Sequence, residues 1–413
     1  MKKLMMMAMM LVASATAFAG DSDALKAILK ASDYAQAQAL VSSSLAQLAN
    51  DAEKAKAYNK IVDLACEKFD KEEKTKLTNA AMQKNDPVDI DGMIAAGQVA
   101  LSAAMECDKY DQLPNEKGKV APKFHEKNIA RTKSMRLSLL QETEKLVNEQ
   151  KSKEALDIFD LYISTSKSDF FKGIQGVATD DPNMGYAAFY GGQSALRLEN
   201  YAKAKELFKV GVRDTSKQIS EYSMEGLLQS MRNCVKSPAD SAQYISELTE
   251  LSNEMPANER VYAILSEAYM NKGEQTKVIE LADQRIAKFP DSQLPYVYKG
   301  ILFMNDRKFD EAIAEYAKVK ADNSLIYLNA VYNSAVCKYN KASEFNDTKS
   351  DLRTGRLKPA DQEQFMNMLK DAQGDFEKAK EIDPEQKTVK WQYLLHNVYT
   401  LTGQKDKADA LEQ

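Results

Sequence analysis

The sequence predicts an all-α fold in which antiparallel helix pairs stack into a solenoid. Apolar residues recur at steps of three and four along most of the chain, as amphipathic helices require. A period of 34 residues relates the segment from Glu259 to Ser292 to the segment from Gln293 to Ile326. Pro256 and Pro290 also lie 34 residues apart. A fixed period of this length is typical of stacked helical repeats.

Equivalent positions of the two segments carry similar residues. Tyr262 in the first segment corresponds to Tyr296 in the second. Turn-forming residues, Gly273 in one segment and Asp306-Arg307 in the other, separate two amphipathic stretches. Each segment is therefore predicted to form one helix–turn–helix pair.

These segments resemble the tetratricopeptide repeat, a family defined by small and aromatic residues at fixed positions of two helices. Segment 185–218 has Gly192 in its first helix and Ala204 and Phe208 in its second, as in that pattern. The stretch from Phe376 to Pro384 is similar to the family's second-helix ending. The resemblance covers about residues 185–413 and implies a right-handed α-solenoid of antiparallel helix pairs.

The repeat pattern and its interruptions divide the chain into six predicted segments. An atypical first segment of a solenoid is expected, because end repeats cap an otherwise open core. The segments are a signal peptide at 1–19, an atypical helical region at 20–123, a degenerate repeat with a loop at 124–184, regular repeats at 185–326, a repeat with an insertion at 327–386, and a capping repeat at 387–413.

Two of these segments carry more detailed predictions. The helices of the atypical region are expected at Ala24–Leu48, at Asp51–Lys84 with a break near Phe69, and at Asp89–Tyr110. A capping box is expected where Asn50 precedes the second of them. In the repeat with an insertion, the polar stretch Asn346–Asp361 would be accommodated by lengthening both helices around a loop.

The N-terminus has the parts of a secretory signal peptide. Lys2 and Lys3 are followed by apolar residues over 4–18, and the small residues Ala17 and Ala19 predict cleavage after Ala19. The apolar run is shorter than the roughly 20 residues that span a bilayer. We therefore expect an exported protein, either periplasmic or secreted, without a transmembrane segment.

The charge and cysteine content of the chain limit the classes of partner that it could bind. The net charge is −5, and loss of two lysines with the signal peptide would make it −7. A mildly acidic chain without a basic block disfavours nucleic acid and anionic membranes as partners. The first cysteine is Cys66, too far from the cleavage point for a lipid anchor.

The four cysteines match neither a disulfide scaffold nor a zinc pattern. An oxidising compartment would permit one disulfide, with Cys66 and Cys107 as the preferred pair because their helices could be neighbours. The alternative is that all four are small buried apolar residues. They are Cys66, Cys107, Cys234 and Cys337.

No motif supports catalysis or a bound cofactor or metal. His125 and His396 are the only histidines and lack zinc-site spacing. Ser164–Lys167 matches Ser-x-x-Lys without the other elements of that chemistry. Asp89–Gly92 lacks the flanking ligands of a calcium loop, and no glycine-rich phosphate loop is present. We therefore expect a protein that is not an enzyme.

The resemblance implies a concave wall, built from the first helix of each pair, that takes a peptide or a folded protein. The expected function is a non-catalytic protein-binding scaffold or adaptor in the cell envelope. Packing between repeats is an alternative role for the tyrosines among the groove positions. The positions carried over from the family are Phe189, Gln193, Arg260, Glu267, Asn271, Tyr298, Asn305, Tyr332, Lys338 and Tyr339.

Two further functions stay open at this point. One is a glycan-binding component of an envelope uptake system, and the other is a structural organiser of an outer-membrane or wall-synthesis complex. Sugar stacking favours an exposed tryptophan, but the only one, Trp391, falls inside the last repeat. Some family members grip a peptide carboxylate with Lys, Asn and Arg. The corresponding positions here are Ala263, Glu267, Val297 and Ile301.

Overall fold

A computed structural model describes residues 20–115, 117–321 and 324–411. The predicted signal peptide, residues 1–19, lies outside the described residues. The described chain is all-α, with 18 α-helices and no strand beyond one isolated bridge between Gln175 and Thr179. It divides into two compact units, up to Lys236 and from Ser237 onward.

The first unit contains nine of these helices, each packed on its neighbours along the chain. Helix α7 also contacts α9, as expected when helix pairs stack. The helices are α1 (Asp23–Leu29), α2 (Tyr34–Ser44), α3 (Asp51–Met82), α4 (Ile90–Asp111), α5 (His125–Asn148), α6 (Ser152–Ser166), α7 (Met184–Arg197), α8 (Tyr201–Gly211) and α9 (Lys217–Asn233).

The second unit contains the other nine helices of the described chain. Here too the first helices of successive pairs touch, since α11 contacts α13 and α13 contacts α15. The helices are α10 (Pro238–Glu254), α11 (Glu259–Asn271), α12 (Gln275–Lys288), α13 (Leu294–Asn305), α14 (Phe309–Tyr316), α15 (Ser324–Lys349), α16 (Pro359–Ile382), α17 (Gln392–Leu401) and α18 (Lys405–Asp409).

One turn geometry recurs within the helix pairs. The middle residue of the turn has a left-handed backbone, with φ of 56° at Glu199, 75° at Gly273, 58° at Arg307 and 73° at Gly403. In each turn the residue after this one donates a backbone N–H hydrogen bond, 2.8–2.9 Å long, to the carbonyl of the residue five positions before it. This is the Schellman ending of a helix. The fold is thus a tetratricopeptide-like helical repeat, with the turns at Gly273 and Arg307 confirmed.

The small residues of the repeat allow close helix packing. Phe208 on α8 is fully buried. A Cβ built at Gly192 on α7 would lie 2.7 Å from its ring, and one at Gly226 on α9 would lie 2.4 Å from it. The two glycines therefore make room for one phenyl ring between three helices.

The atypical region differs from prediction in two places. The predicted helix Ala24–Leu48 is two helices, because Asp33 starts a new one by accepting a hydrogen bond from the Gln36 amide at 2.8 Å. The predicted break near Phe69 is wrong. That residue is 1% exposed and lies in a continuous α3. Helix α4, capped by Asp89, matches the third predicted helix closely.

The expected capping box at α3 is half formed. The Asn50 side chain accepts from the Glu53 amide at 3.0 Å, as predicted. The Glu53 carboxylate accepts from the amide and hydroxyl of Ser22, at 2.7 and 2.6 Å, and from the Ala49 amide at 2.8 Å. This buried carboxylate therefore ties the start of α1 to α3.

The two long connections behave differently. In the first unit, Asp181 from the loop before α7 forms a buried ion pair with Arg136 of α5 at 2.8 Å and accepts from the Tyr162 hydroxyl at 2.9 Å. In the second unit, α15 and α16 have 26 and 24 residues, which confirms the predicted lengthening. Only residues 350–358 remain as a connection between them.

The proposed Cys66–Cys107 disulfide is wrong. Both residues are buried free thiols, although their helices α3 and α4 do pack together. The Cys107 thiol donates a hydrogen bond to the Ala55 carbonyl at 3.2 Å. Burial raises the pKa of Cys66 to about 11 and that of Cys107 to about 12, so neither is a ready nucleophile.

Candidate protein-binding surfaces

Four groove positions of the second unit present exposed polar side chains. Arg260, Glu267 and Asn271 lie on α11, and Asn305 lies on α13. Asn258 caps α11 by accepting from the amide of Arg260, which fixes where this helix begins. These polar side chains give the first helices of two successive pairs a hydrogen-bonding surface.

Tyr298, another predicted groove residue, is only 8% exposed. Its hydroxyl lies within hydrogen-bonding distance of two acceptors, the Ala263 carbonyl at 3.3 Å and the Glu267 carboxylate at 3.2 Å. Its ring meets Tyr262 edge-on at 5.9 Å. Burial raises the pKa of Tyr298. These contacts support the alternative role for this tyrosine, packing between α11 and α13.

The three predicted positions on α15 are half-buried. Tyr332 packs edge-on against Phe376, and its hydroxyl donates to the Lys390 carbonyl at 3.3 Å. Lys338 forms an ion pair with Asp375 of α16 at 2.6 Å, and Tyr339 packs on the apolar core of this helix pair. These side chains mainly join α15 to neighbouring elements.

The first unit carries an aromatic patch, defined here as Tyr186, Phe189 and Tyr190 of α7 and Tyr222 of α9. The Tyr190 ring lies 4.5 Å from Tyr186 and 4.9 Å from Phe189. Phe189 stacks on Tyr222, with centroids 6.1 Å apart and an interplanar angle of 29°. Tyr190 is 37% exposed and Tyr222 is 50% exposed. A linked cluster of this kind is unusual on a solvated surface.

Charged and polar groups border the aromatic patch. Gln193, the second predicted groove residue of α7, is half-buried, one turn after Tyr190. The carboxylates of Glu144 and Glu221 are exposed. Burial, with smaller effects of Tyr190 and Glu144, raises the pKa of Tyr186. The Glu144 carboxylate is therefore an acidic neighbour of the patch on the side of Tyr186.

Sequence reasoning found Phe189 but missed the three tyrosines of the patch. The spacing of Tyr186 and Tyr190, four residues apart on one predicted helix, was an available signal. Tyr222 was not identifiable, because its contact with Phe189 depends on the packing of α9 against α7. The structure reveals it by pairing α9 with α7.

The residues weighed for chemistry have local structural roles. Asp89 accepts from the Gly92 amide at 2.9 Å as the cap of α4. His125 Nδ1 lies 2.7 Å from a carboxylate oxygen of Asp108. The Ser164 hydroxyl donates to a carbonyl of its own helix, Leu161, at 3.1 Å. Across the described residues, no three His, Cys, Asp or Glu side chains are grouped to hold a metal ion.

Comparisons with known proteins identify no family. No protein-family model matches the chain, and no curated protein matches it. One similar solved structure is the APC/C hetero-tetramer Cut9-Hcn1, with 14% identity, a TM-score of 0.28, and coverage of 92% of this chain and 74% of that chain. Another is a circular tandem repeat protein, with 11% identity, a TM-score of 0.22, and coverage of 92% and 89%. The fold assignment rests on the helix pairs described above.

Proposed function

We propose that this chain is a non-catalytic scaffold that binds a protein partner through the aromatic patch of its first unit. The main support is that Tyr190 and Tyr222 are exposed, whereas the other members of their cluster are packed into the repeat. Phe189 packs on the buried Phe208, so the patch is fixed to the core of the first unit. Rigid aromatic residues on a preformed surface are typical anchors of protein interfaces.

The acidic surroundings favour a particular partner. Burial raises the pKa of Tyr186, the Glu144 carboxylate lies close enough to raise it further, and the whole chain has a net charge of −5. A partner segment with apolar side chains and nearby lysines or arginines would match both features. Binding should then weaken as ionic strength rises, because exposed charges are screened within about 10 Å at 0.1 M salt.

The proposed setting is the cell envelope or the extracellular space. The support is the N-terminal pattern of residues 1–19, and the helices of the described chain include none that is long and apolar enough to cross a membrane. Intact mass measurement of the protein from its native host tests this. The proposal expects a chain that begins at Gly20, and a full-length chain retained in the cell would contradict it.

Interface variants test the binding function. A tagged chain is crosslinked and purified from its own envelope, and the stoichiometric partner is then titrated against purified variants. Tyr222→Ala and Tyr190→Ala should each raise the Kd by roughly tenfold or more, as loss of an aromatic anchor does. Tyr393→Ala, at a tyrosine 73% exposed in the second unit, is the matched control.

A glycan ligand is the competing result. Trp391, the usual sugar-stacking type of residue, is 4% exposed, and its indole N–H donates to the Asp383 carbonyl at 2.7 Å. The exposed tyrosines of the patch, Tyr190 and Tyr222, offer aromatic faces on which a sugar could stack. If the chain binds polysaccharide or wall resin and Tyr222→Ala abolishes that binding, the ligand of the patch is a carbohydrate and not a protein.

A further inference from the structure

The longest helix pair of the second unit extends beyond its neighbours. Helices α15 and α16 have 26 and 24 residues, whereas α13 and α14 have 12 and 8. At 1.5 Å per residue, α15 is about 39 Å long and α13 about 18 Å. The last ion pair that reaches α15 from the α13–α14 pair joins Arg307 to Glu344. In the described chain, no hydrogen bond or ion pair links residues 345–372 to an element outside the α15–α16 pair.

Hydrogen bonds define the turn at the far end of this pair, called here the hairpin tip and comprising residues 349–358. The Asp351 amide donates to the Arg356 carbonyl at 3.0 Å, and the Gly355 amide donates to the Asp351 carbonyl at 2.8 Å. The Asp351 carboxylate accepts from the amide and the hydroxyl of Thr354, at 2.8 and 2.9 Å. Gly355 has a φ of 64°, which glycine adopts freely. The hairpin tip therefore has a specific backbone conformation.

Leu352 lies in the hairpin tip with its side chain wholly in solvent. It is 103% exposed, more than any other large apolar residue of the described chain. Leu357, at the other side of the tip, packs instead on the apolar core that includes Phe365 and Leu369. A single exposed leucine is ordinary on a protein surface. The unusual feature is that this leucine stands among cations that have no partner.

The hairpin tip is basic although the chain is acidic. Its four cations are exposed, and none of them forms an ion pair or a side-chain hydrogen bond with the described residues. They are Lys349, Arg353, Arg356 and Lys358. Asp351 is the only acid of the tip, so its net charge is +3, which leaves −8 for the rest of the chain. Asp347 and Asp361, on the adjoining helix ends, reduce the net charge of residues 347–361 to +1.

We propose that the hairpin tip binds an anionic phospholipid surface, with Leu352 entering the headgroup region and the four cations pairing with lipid phosphates. Binding to such a surface strengthens with the apolar area that is inserted and with attraction to anionic lipids. Each Lys or Arg near an anionic leaflet raises the binding constant by roughly fivefold. The net charge of −5 describes the whole chain and not this end of it, because exposed charges more than about 10 Å away are screened at 0.1 M salt.

A protein partner matches the hairpin tip less well. A specific protein interface takes about 20–30 residues from each side, and its main anchors are often aromatic. The hairpin tip has ten residues, with no aromatic side chain among them. A phospholipid surface presents repeated phosphates and a fluid boundary, so a small tip needs no complementary shape to bind it. The site is in the second unit and does not depend on the aromatic patch of the first.

The test is co-sedimentation of residues 20–413 with lipid vesicles. Vesicles of phosphatidylglycerol and phosphatidylcholine in equal parts are compared with vesicles of phosphatidylcholine alone. The proposal expects the mixed vesicles to bind tighter by about tenfold or more, and this advantage should shrink as salt rises. Equal binding to the two kinds of vesicle, or binding to neither, would overturn the proposal. Tighter binding to poly-L-glutamate than to the mixed vesicles would make the tip a site for acidic protein instead.

Charge variants connect this binding to the hairpin tip. Arg353→Gln combined with Arg356→Gln should weaken binding to the mixed vesicles by about tenfold or more. The matched control is Lys153→Gln combined with Lys217→Gln, which changes the net charge equally at two exposed lysines of the first unit and should leave the affinity unchanged. Equal losses in the two double variants would assign the binding to overall charge and would overturn the proposal.

Fluorescence tests the insertion of Leu352. The chain has one tryptophan, Trp391, which is 4% exposed, so Leu352→Trp adds a single exposed reporter. Its emission should shift to shorter wavelength with the mixed vesicles, whereas that of Leu325→Trp, at an α15 residue 61% exposed, should not. Leu352→Ser should weaken binding several-fold and leave the Tm unchanged, because the leucine packs on nothing in the folded chain. An unshifted emission from Leu352→Trp would overturn the proposal.

Discussion

Phe208 determines the spacing of α7, α8 and α9. Its ring lies between Gly192 and Gly226, so it cannot move away from one glycine without approaching the other. The sequence pattern predicted Gly192 and Phe208 as repeat positions, but it did not predict Gly226. That residue is recognisable only from the pairing of α7 with α9.

Replacing Gly226 with alanine should destabilise the first unit. The new methyl would start 2.4 Å from the Phe208 ring, so the ring or α9 must shift, at a cost of about 1–3 kcal/mol. Urea unfolding measures the change. The control is Gly374→Ala, because a Cβ at that exposed position of α16 meets nothing within 4 Å, and this change should stabilise by about 0.5–1 kcal/mol. Equal effects of the two variants would contradict the packing account.

Asp383 links stability to pH in the second unit. Its carboxylate accepts from the amides of Lys387, Thr388 and Val389 at 2.8–3.0 Å. These backbone hydrogen bonds, the Val389 amide foremost, lower the pKa of Asp383. A lowered folded-state pKa adds stability above the unfolded pKa of about 3.9, and this stability is lost as pH falls through the folded value.

The Asp383→Asn variant should therefore melt at a lower Tm than the wild type at pH 7, since the neutral amide accepts these bonds less strongly. The difference in Tm should shrink as the pH is lowered below about 4. Thermal unfolding followed by circular dichroism across pH 2.5–7 would show this. A Tm difference that is constant over this range would exclude the carboxylate as its source.

At the scale of elements, the turns within the helix pairs follow one backbone rule, while their sequences differ. Gly273 and Gly403 occupy the left-handed position without strain, and Glu199 and Arg307 occupy it at a cost. Gln150, with φ of 60°, forms the same ending after α5. The glycine turns were predictable from sequence. The turn at Arg307 was predicted from its place in the 34-residue period, whereas those at Glu199 and Gln150 were not, because no residue preference marks them.

Glu199→Gly should stabilise the first unit by about 0.5–1 kcal/mol, by relieving a left-handed conformation that glycine adopts freely. Chemical denaturation monitored by circular dichroism measures this change in the free energy of unfolding. Glu206→Gly, inside the neighbouring α8, is the control and should destabilise by about 1 kcal/mol. Destabilisation by both changes would show that the turn is not strained.

Capping residues explain the errors in the atypical region. Helix periodicity continued from Ala24 to Leu48, but Asp33 bonds the Gln36 amide and Ser32 bonds the Gln36 side chain, which together start a second helix. Within α3 the predicted break near Phe69 does not occur, because Phe69 is a core residue of a regular helix. The sequence located the ends of α3 and α4 to within two residues, but it missed the boundary between α1 and α2.

For the whole molecule, the sequence predicted the class of fold and the presence of helix pairs, but not the two-unit organisation. The 34-residue period is plain only where closing prolines recur, and the division after Lys236 has no such marker. The predicted groove residues fall in both units. Tyr298, a predicted groove residue, is buried, whereas Tyr190 and Tyr222, which were not predicted and which contact Phe189, are exposed.

Photo-crosslinking at Tyr222 tests the central claim most directly. A photoreactive phenylalanine analogue replaces Tyr222 in the native host, with the same analogue at Tyr393, which is 73% exposed, as the matched position. The account predicts a discrete protein adduct from Tyr222, diminished when Tyr190 is also alanine, and none from Tyr393. Adducts of equal strength at both positions, or none at Tyr222, would contradict a protein-binding patch on α7 and α9.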